Sequence, residues 1–376
     1  MGSEAEGETA GRSRLVTPRR VLLILDDCGA GDALRLSGQV RAIRRSFPDA
    51  RVRMVASAGA SAVYRSSRDV DEVIESRLYQ RRQAGWRGRV RKLLELLRIA
   101  AAAGFDNDLV VTFWWGSRTL ALLARLTGRG TRVGYGQAGR GPYDFSGDEM
   151  VQNTQLLEAA GVELPAGDPL PTLAVNAETE REAVRLLRGS GWDGSAPVVV
   201  VHTGSDWACQ QWSPSGWAEV GDALVSGYGA QVVFTGTRSE KDYVRRIRGA
   251  MHERSASLAG ETPLPLLAAV LRLARLVVTV DSAAYVVARS QRTPVVVLAG
   301  PSHPERLARG GGEVRIVKRM SDATAQVIDA CKQPRFPDGG CLDYSCPLAG
   351  LKELRTDDVL AAVRATRALE PERAAV

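Results

Sequence analysis

The stretch RVLLILDDCGAGDALR, residues 20–35, sets the expectation for the fold of this chain. Its apolar run Val21–Leu25 predicts a buried strand, and Gly29 and Gly31 let the backbone turn tightly after that strand. Apolar residues then recur at helical spacing, which predicts a helix over residues 32–46. A strand, a glycine-rich turn and a helix form the repeating unit of a parallel sheet covered by helices.

The same unit recurs in two series. In the first, we predict strands at 51–56, 70–74 and 109–113 and helices near Ala60, at 87–102 and at 117–126. In the second, we predict strands at 197–202, 231–235, 276–281 and 294–299, with helices between them and a last helix at 356–369. The stretch Gly161–Pro171 contains proline and glycine and reads as a linker. We therefore expect an α/β protein with two Rossmann-like doubly wound domains, residues 19–165 and 172–355, facing one another across a cleft.

Length and composition agree with two folded domains. The chain has 376 residues, more than one hydrophobic core usually covers, and it is 44% hydrophobic and 25% charged. Residues 1–18 lack periodicity and are predicted to be a disordered tail. The sequence shows no apolar run of membrane-spanning length and no apolar signal core, and its five cysteines do not suggest a disulfide scaffold. A cytoplasmic protein is the expectation.

The net charge of +7 comes mostly from arginine, since only five of the 50 basic residues are lysine. A coding bias accounts for a global excess of arginine, but the local excess is more informative: six of the twelve residues from Arg81 to Lys92 are basic. That segment could meet an anionic partner, including a membrane surface at its periphery, or could be a solvated helix face. No nucleic acid partner is expected.

Chemistry should lie where the predicted strands end. Asp32 follows the first strand at a glycine-flanked corner, where a carboxylate can act as a general base. The alternative is that Asp32 only caps the helix by accepting hydrogen bonds from free N–H groups. The spacing leaves both interpretations open.

Four further strand ends carry small polar residues before a helix. They are His202–Asp206, Thr235–Glu240, Val280–Ala283 and Gly300–Pro304. Backbone N–H groups and hydroxyls in such turns can bind an anion such as a diphosphate. Surface loops with a capping serine are the alternative.

Taken together, the five strand ends resemble glycosyltransferase family 9, the heptosyltransferases. The resemblance rests on Gly31-Asp32 followed by Phe47-Pro-Asp-Ala50, His202-Thr-Gly-Ser205 with Trp212, Pro214 and Trp217, then Val280-Asp-Ser282 and Gly300-Pro-Ser302. It implies the GT-B fold, with the C-terminal helix 356–369 returning to the first domain. It also implies inverting transfer of a heptose or related sugar from a nucleotide diphosphate sugar to an acceptor hydroxyl, without a metal or another cofactor.

The resemblance assigns residues as well. Asp32 stands where the family has its general base. The donor side is represented by Thr203, Gly204, Ser205, Gln210, Arg238, Glu240, Asp281, Ser282 and Ala283. Gly31 and the pair Trp114-Trp115 are expected on the acceptor side, where an indole can stack on a sugar ring, although core packing would also explain a tryptophan there.

The sequence departs from the family pattern at the donor turn. The family reads Asp-Ser/Thr-Gly-x-x-His, whereas this chain has Ala283 and Val286 in place of the glycine and histidine, and Gln210 in place of a lysine. These changes put the identity of the donor in question and leave open a sugar nucleotide other than ADP-heptose and an acceptor that is a small natural product instead of lipopolysaccharide.

Other functions are weighed against this one. A sugar-nucleotide 2-epimerase shares the two-domain architecture, and a non-catalytic sugar-nucleotide-binding protein would fit the weakened donor turn.

A zinc ion could be bound by Cys331, Cys341 and Cys346 together with His303, but the spacing of these cysteines matches no common zinc signature. No metal site is therefore predicted.

Overall fold

Two parallel sheets organise the chain in the computed structural model. The structure describes residues 17–25, 29–65, 67–78, 85–113, 118–135, 149–163, 171–205, 210–300, 304–307, 312–319 and 351–370. Within these ranges, the first lobe holds a five-stranded sheet and the second lobe a six-stranded one. The predicted α/β class and two-domain doubly wound architecture are confirmed.

Among its described residues, the first lobe contains five strands and six helices. The strands are β1 (Arg20–Leu25), β2 (Arg51–Ser57), β3 (Glu72–Ser76), β4 (Asn107–Thr112) and β5 (Gly128–Gly134), in the order β3-β2-β1-β4-β5 and all parallel. The helices are α1 (Ala30–Arg35), α2 (Ser37–Ser46), α3 (Ala58–Tyr64), α4 (Gly85–Ala103), α5 (Arg118–Thr127) and α6 (Glu149–Glu158). The helix predicted over 32–46 is in fact two helices, because the chain leaves α1 at Leu36 before α2 begins.

The second lobe repeats this plan, with six strands in the part of the chain that the structure describes. They are β6 (Val198–His202), β7 (Gln231–Thr235), β8 (Ala256–Ser257), β9 (Leu276–Val280), β10 (Val295–Ala299) and β11 (Val314–Lys318), in the order β11-β10-β9-β6-β7-β8. The helices are α7 (Ala177–Gly189), α8 (Pro214–Tyr228), α9 (Lys241–Ala250), α10 (Leu264–Leu273), α11 (Ala283–Gln291) and α12 (Thr356–Thr366). Short 3₁₀ turns occur at Arg238–Glu240, Pro304–Leu307 and Leu351–Glu353.

The apolar runs form central strands because helices cover both faces of each sheet. Every residue of β1 after Arg20 is buried, and all five residues of β6, β9 and β10 are buried. Parallel strands covered on both sides need continuous apolar sequence. The apolar segments from which strands were predicted are thus the segments that the two hydrophobic cores require.

The two lobes touch along α1 and α11. Two hydrogen bonds fasten the stretch that leads into the second lobe: the Thr172 N–H donates to Ser37 Oγ at 2.7 Å, and Gln291 Nε2 donates to the Leu173 carbonyl at 2.8 Å. Since β1 leads into α1 and β9 leads into α11, this contact joins the carboxyl ends of the two sheets.

Two further features of the fold differ from the sequence expectations. Helix α12 packs on β10, β11 and α8 of the second lobe, with Val359 and Val363 in that lobe's core, instead of returning to the first lobe. The spacing of these valines at i and i+4 shows that the helix buries one face, but it does not identify the partner. The sequence also did not predict strands β5, β8 and β11 or helix α6.

No helix among the described residues is both long and apolar enough to cross a membrane.

Candidate active site

Asp32 lies in the first turn of α1, three residues after the N-cap Gly29. The Gly29 N–H donates to Asp32 Oδ2 at 3.1 Å, and the guanidinium of Arg35 forms an ion pair with Oδ1. Asp32 is therefore not the N-cap residue itself, although its carboxylate does satisfy the start of the helix. With 28% of its side chain exposed, the carboxylate is also open to a ligand.

Gly31 brings this corner against the second lobe. A Cβ on Gly31 would lie 3.3 Å from the Cα of Ala283 and 3.4 Å from its Cβ. Asp32, the predicted base, therefore directly follows Gly31, the residue at which the first lobe approaches the predicted donor turn. Two motifs some 250 residues apart in the sequence form one site region.

At the end of β6, His202 is buried and fixed by its neighbour on β7. Its Nδ1 lies 3.0 Å from Thr235 Oγ1, and β6 and β7 pair directly at these two residues. Burial lowers the pKa of His202 from 6.5, while the nearby Glu240 carboxylate opposes that shift. Burial therefore favours the neutral form of the imidazole.

Thr203 and Gly204 follow in that loop. Thr203 is fully buried, and its Oγ1 has no hydrogen-bond partner among the described residues. Leaving a buried hydroxyl unpaired costs about 1–3 kcal/mol, so such an atom at a strand end is a candidate for ligand contact. The carboxylate of Glu240 lies directly over Gly204, where a Cβ would be only 2.0 Å from Oε1.

Glu240 itself is held by the backbone of its own turn. The Thr237 N–H donates to Oε2 at 2.6 Å. Gly236 also leaves room for this carboxylate, since a Cβ there would be 2.8 Å from Oε2. The ends of β6 and β7 thus place Glu240, Gly204 and Thr203 together; the sequence analysis had assigned all three to the donor side. Arg238 lies exposed in the same turn.

Ser205 and Gln210 are connected as well. Ser205 Oγ donates to Gln210 Oε1 at 2.8 Å, and Gln210 is 4% exposed. The intervening residues, including Asp206, lie outside the described residues. In the structure Gln210 thus contacts a predicted donor residue, Ser205.

The donor turn after β9 begins α11. Ser282 is the N-cap residue, but its hydroxyl makes no capping hydrogen bond; its Oγ lies 3.4 Å from Thr279 Oγ1. Ala283 is exposed at the first helical position, whereas Val286 is buried. The position that holds histidine in the family pattern is thus a packing position here. Asp281 is half-buried, and its N–H donates to the Leu298 carbonyl at 3.2 Å.

The tryptophans of the motif after β6 serve packing. Trp212 and Trp217 are buried edge to face, with ring centroids 5.2 Å apart. Trp212 Nε1 donates to the Leu354 carbonyl at 3.2 Å, which ties the segment before α12 to the second lobe. These residues shape the lobe and do not line the site.

Several predicted residues lie outside the described residues: Trp114, Trp115, Ser302, His303, Cys331, Cys341 and Cys346. Within the described ranges, no group of three or more His, Cys, Asp or Glu side chains is arranged to hold a metal ion.

Two contacts in the region were not predicted from the sequence. Arg35 pairs with Asp32, and Thr235 positions His202. Arg35 was detectable, because residues three apart on a helix are neighbours. Thr235 was not, because its contact depends on which strands pair.

The site joins a carboxylate on one lobe with a loop and a helix N-terminus on the other, which is the arrangement of a two-lobed transferase that binds a nucleotide-linked donor. Solved structures share this two-lobed fold over nearly the whole chain. A glycosyl transferase family 9 protein from Veillonella parvula has a TM-score of 0.70 at 18% identity, covering 94% of this chain and 98% of that one. The ADP-heptose lipopolysaccharide heptosyltransferase II of E. coli has a TM-score of 0.64 at 18% identity, over 93% and 98%. E. coli heptosyltransferase WaaC with ADP gives 0.63 at 16% identity, over 92% and 99%.

The sequence match is more specific. The model of glycosyltransferase family 9 (heptosyltransferase) matches residues 108–334, more than half of the chain. The chain belongs to this family and is a glycosyltransferase of GT-B fold. A search of curated proteins gave no match. The matched range contains the predicted donor loops but begins after Asp32.

Proposed function

We propose that this glycosyltransferase moves a heptose or related sugar from a nucleotide diphosphate sugar to an acceptor hydroxyl, with inversion and without a metal. The first lobe, residues 19–165, binds the acceptor, and the second lobe, residues 172–355, binds the donor. The observation that carries the proposal is the contact of Gly31 with Ala283, which sets Asp32 beside the donor turn.

Asp32 acts as the general base. Its carboxylate takes the proton of the acceptor hydroxyl while that oxygen bonds to the anomeric carbon. The bond between the anomeric carbon and the phosphate oxygen breaks on the opposite side, and the nucleotide diphosphate leaves with the electron pair. A single displacement inverts the anomeric centre. The ion pair with Arg35 and the hydrogen bond from Gly29 hold the carboxylate in one orientation.

The second lobe binds the donor and stabilises the leaving group. The N-terminus of α11 and the Ser282 hydroxyl, which is not used in capping, can donate to the diphosphate. The buried Thr203 hydroxyl supplies another donor. Glu240, lying over Gly204, is positioned to accept from a nucleoside hydroxyl.

Family membership favours a transferase over a 2-epimerase, and a small natural product remains our proposed acceptor. The reason is the altered donor turn, since Ala283 and Val286 replace the glycine and histidine of the family pattern. We propose that the protein acts on its substrates within the cytoplasm.

The test is the substitution Asp32→Asn, after a panel of nucleoside diphosphates has identified the nucleobase by calorimetry. The amide keeps the shape and one accepting oxygen but does not take the proton. We expect turnover, measured as nucleotide release on adding acceptor, to fall about 100-fold or more with donor affinity unchanged. Asp49→Asn, an exposed residue at the opposite edge of the same sheet, is the control. Near-normal turnover in Asp32→Asn would return Asp32 to a purely capping role.

A further inference from the structure

Helix α4 exposes a stripe of large apolar side chains. Trp86, Val90, Leu93, Leu94 and Leu97 are 65%, 47%, 55%, 60% and 52% exposed. Soluble surfaces carry scattered apolar residues, but contiguous exposed apolar side chains mark an interaction site. We call these five residues the α4 stripe.

The stripe is separate from the face that holds α4 on the sheet. Leu96, Ile99, Ala100 and Ala103 are the buried positions, and they pack in the core beneath the sheet. At about 100° per residue, the α4 stripe occupies a neighbouring sector about 100° wide. Packing of α4 on its own sheet therefore does not require these five residues.

Basic residues border the stripe. Arg87 and Arg91 fall on one side of the apolar sector and Arg89 on the other, and Arg87 also lies over the Trp86 ring at 5.5 Å. Helices α4 and α5 together carry seven basic residues (Arg87, Arg89, Arg91, Lys92, Arg98, Arg118 and Arg125) and one acidic residue, Glu95. The neighbouring α5 also exposes Leu122 and Leu126.

The exposed part of α4 projects past the sheet. The Arg77 N–H donates to Glu95 Oε1 at 2.9 Å and Arg98 donates to the Glu75 carbonyl at 2.6 Å, so Glu95 lies level with the carboxyl end of β3. The ten residues before Glu95 extend about 15 Å beyond that edge at 1.5 Å per residue. Asp32 follows β1 at the same edge, because parallel strands end together.

We propose that the α4 stripe docks the protein on an anionic membrane surface. Apolar side chains with a tryptophan, bordered by arginines, are the features of a helix that lies in the plane of the interface with its cations at the headgroups. A second copy of the chain fits less well, since a two-fold contact through this face would set the two arginine sets against each other. An anionic bilayer compensates the charge and covers the apolar side chains at once.

Docking of this kind would hold toward the membrane the edge of the first lobe where its strands end and where Asp32 lies. The inference rests on α4 and α5 alone and does not depend on the proposed role of Asp32. A transferase that fails the Asp32 test could still dock, and a protein that does not dock could still use Asp32.

The experiment is co-flotation of the full chain with vesicles of phosphatidylcholine alone and of phosphatidylcholine mixed with phosphatidylglycerol. We expect binding only to the anionic vesicles, weakening as salt is added. The variant Trp86→Ala/Leu93→Ala/Leu94→Ala should lower the partition coefficient about tenfold or more. The variant Arg87→Gln/Arg89→Gln should lower it about 25-fold, at about fivefold per arginine, and reduce the salt dependence.

Phe105→Ala is the matched control. Phe105 is 53% exposed just beyond the other end of α4, so its loss removes one exposed aromatic side chain outside the stripe, comparable with Trp86 alone, and should leave vesicle binding unchanged. Circular dichroism confirms that each variant is folded. Absence of binding to anionic vesicles at low salt overturns the proposal, and so does equal loss in Phe105→Ala and the triple variant. A wild-type dimer in sedimentation that the triple variant converts to monomer also overturns it, since a second copy then covers the stripe.

Discussion

Gly204→Ala tests whether Glu240 is held over the donor loop as the structure shows. The added Cβ would lie 2.0 Å from Glu240 Oε1, 2.2 Å from Cδ and 2.3 Å from Oε2. Atoms in contact keep about 3.5 Å, so the carboxylate has to move by about 1.2–1.5 Å. Gly204 does not adopt a positive φ, so the backbone itself accepts alanine.

The cost follows from what Glu240 loses. Moving the carboxylate breaks its 2.6 Å hydrogen bond from the Thr237 N–H. A hydrogen bond to a charged group contributes about 1.5–3 kcal/mol, and partial exposure of this one favours the lower end. Replacing glycine with alanine returns about 0.4–1 kcal/mol through the unfolded chain. We therefore expect Gly204→Ala to reduce the free energy of unfolding by about 1 kcal/mol.

A double-mutant cycle isolates this mechanism. In a Glu240→Ala background there is no carboxylate to displace, so Gly204→Ala should be neutral or stabilising by about 0.5 kcal/mol. The measurement is urea unfolding followed by tryptophan fluorescence, because Trp212 and Trp217 are buried in the same lobe. Equal destabilisation in both backgrounds would refute the reasoning and mean that something other than Glu240 occupies the space beside Gly204.

Three further predictions concern the site. Ser282→Ala should weaken nucleoside diphosphate binding about tenfold in calorimetry while barely changing nucleoside binding, since the hydroxyl makes no capping hydrogen bond; equal losses for both ligands would make the turn purely structural. Gly31→Ala should slow turnover by pressing a methyl group against Ala283, and Ala283→Gly in the same chain should restore part of the rate, because it removes the Cβ at 3.4 Å but not the Cα at 3.3 Å; a complete lack of rescue would mean that the two residues do not meet in the working enzyme. Activity should survive EDTA, and loss of activity with recovery on adding a divalent cation would show that the enzyme needs a metal.

Local sequence determined the central strands and the positions of the candidate site residues that follow them. The runs Val21–Leu25 and Val198–Val201 become central strands because only strands covered on both faces bury continuous apolar sequence. The positions of Asp32, Ser205 and Ser282 after strands were therefore readable, and the family resemblance is confirmed by the match over residues 108–334. Short or polar elements such as Gly128–Gly134 were not readable, since β5 holds three glycines and two arginines and takes its conformation from pairing with β4.

Tertiary structure alone decided how these pieces meet. No local pattern states that Gly31 approaches Ala283, that Glu240 covers Gly204, or that α12 packs on the second lobe. The apolar spacing of α4 predicted a helix from the sequence. The sequence does not separate the two apolar sectors of that helix, because only packing on the sheet determines which of them is buried. Burial of Leu96 and Ile99 leaves the α4 stripe outside. Periodicity records which residues share a face, whereas packing determines which of those faces is covered.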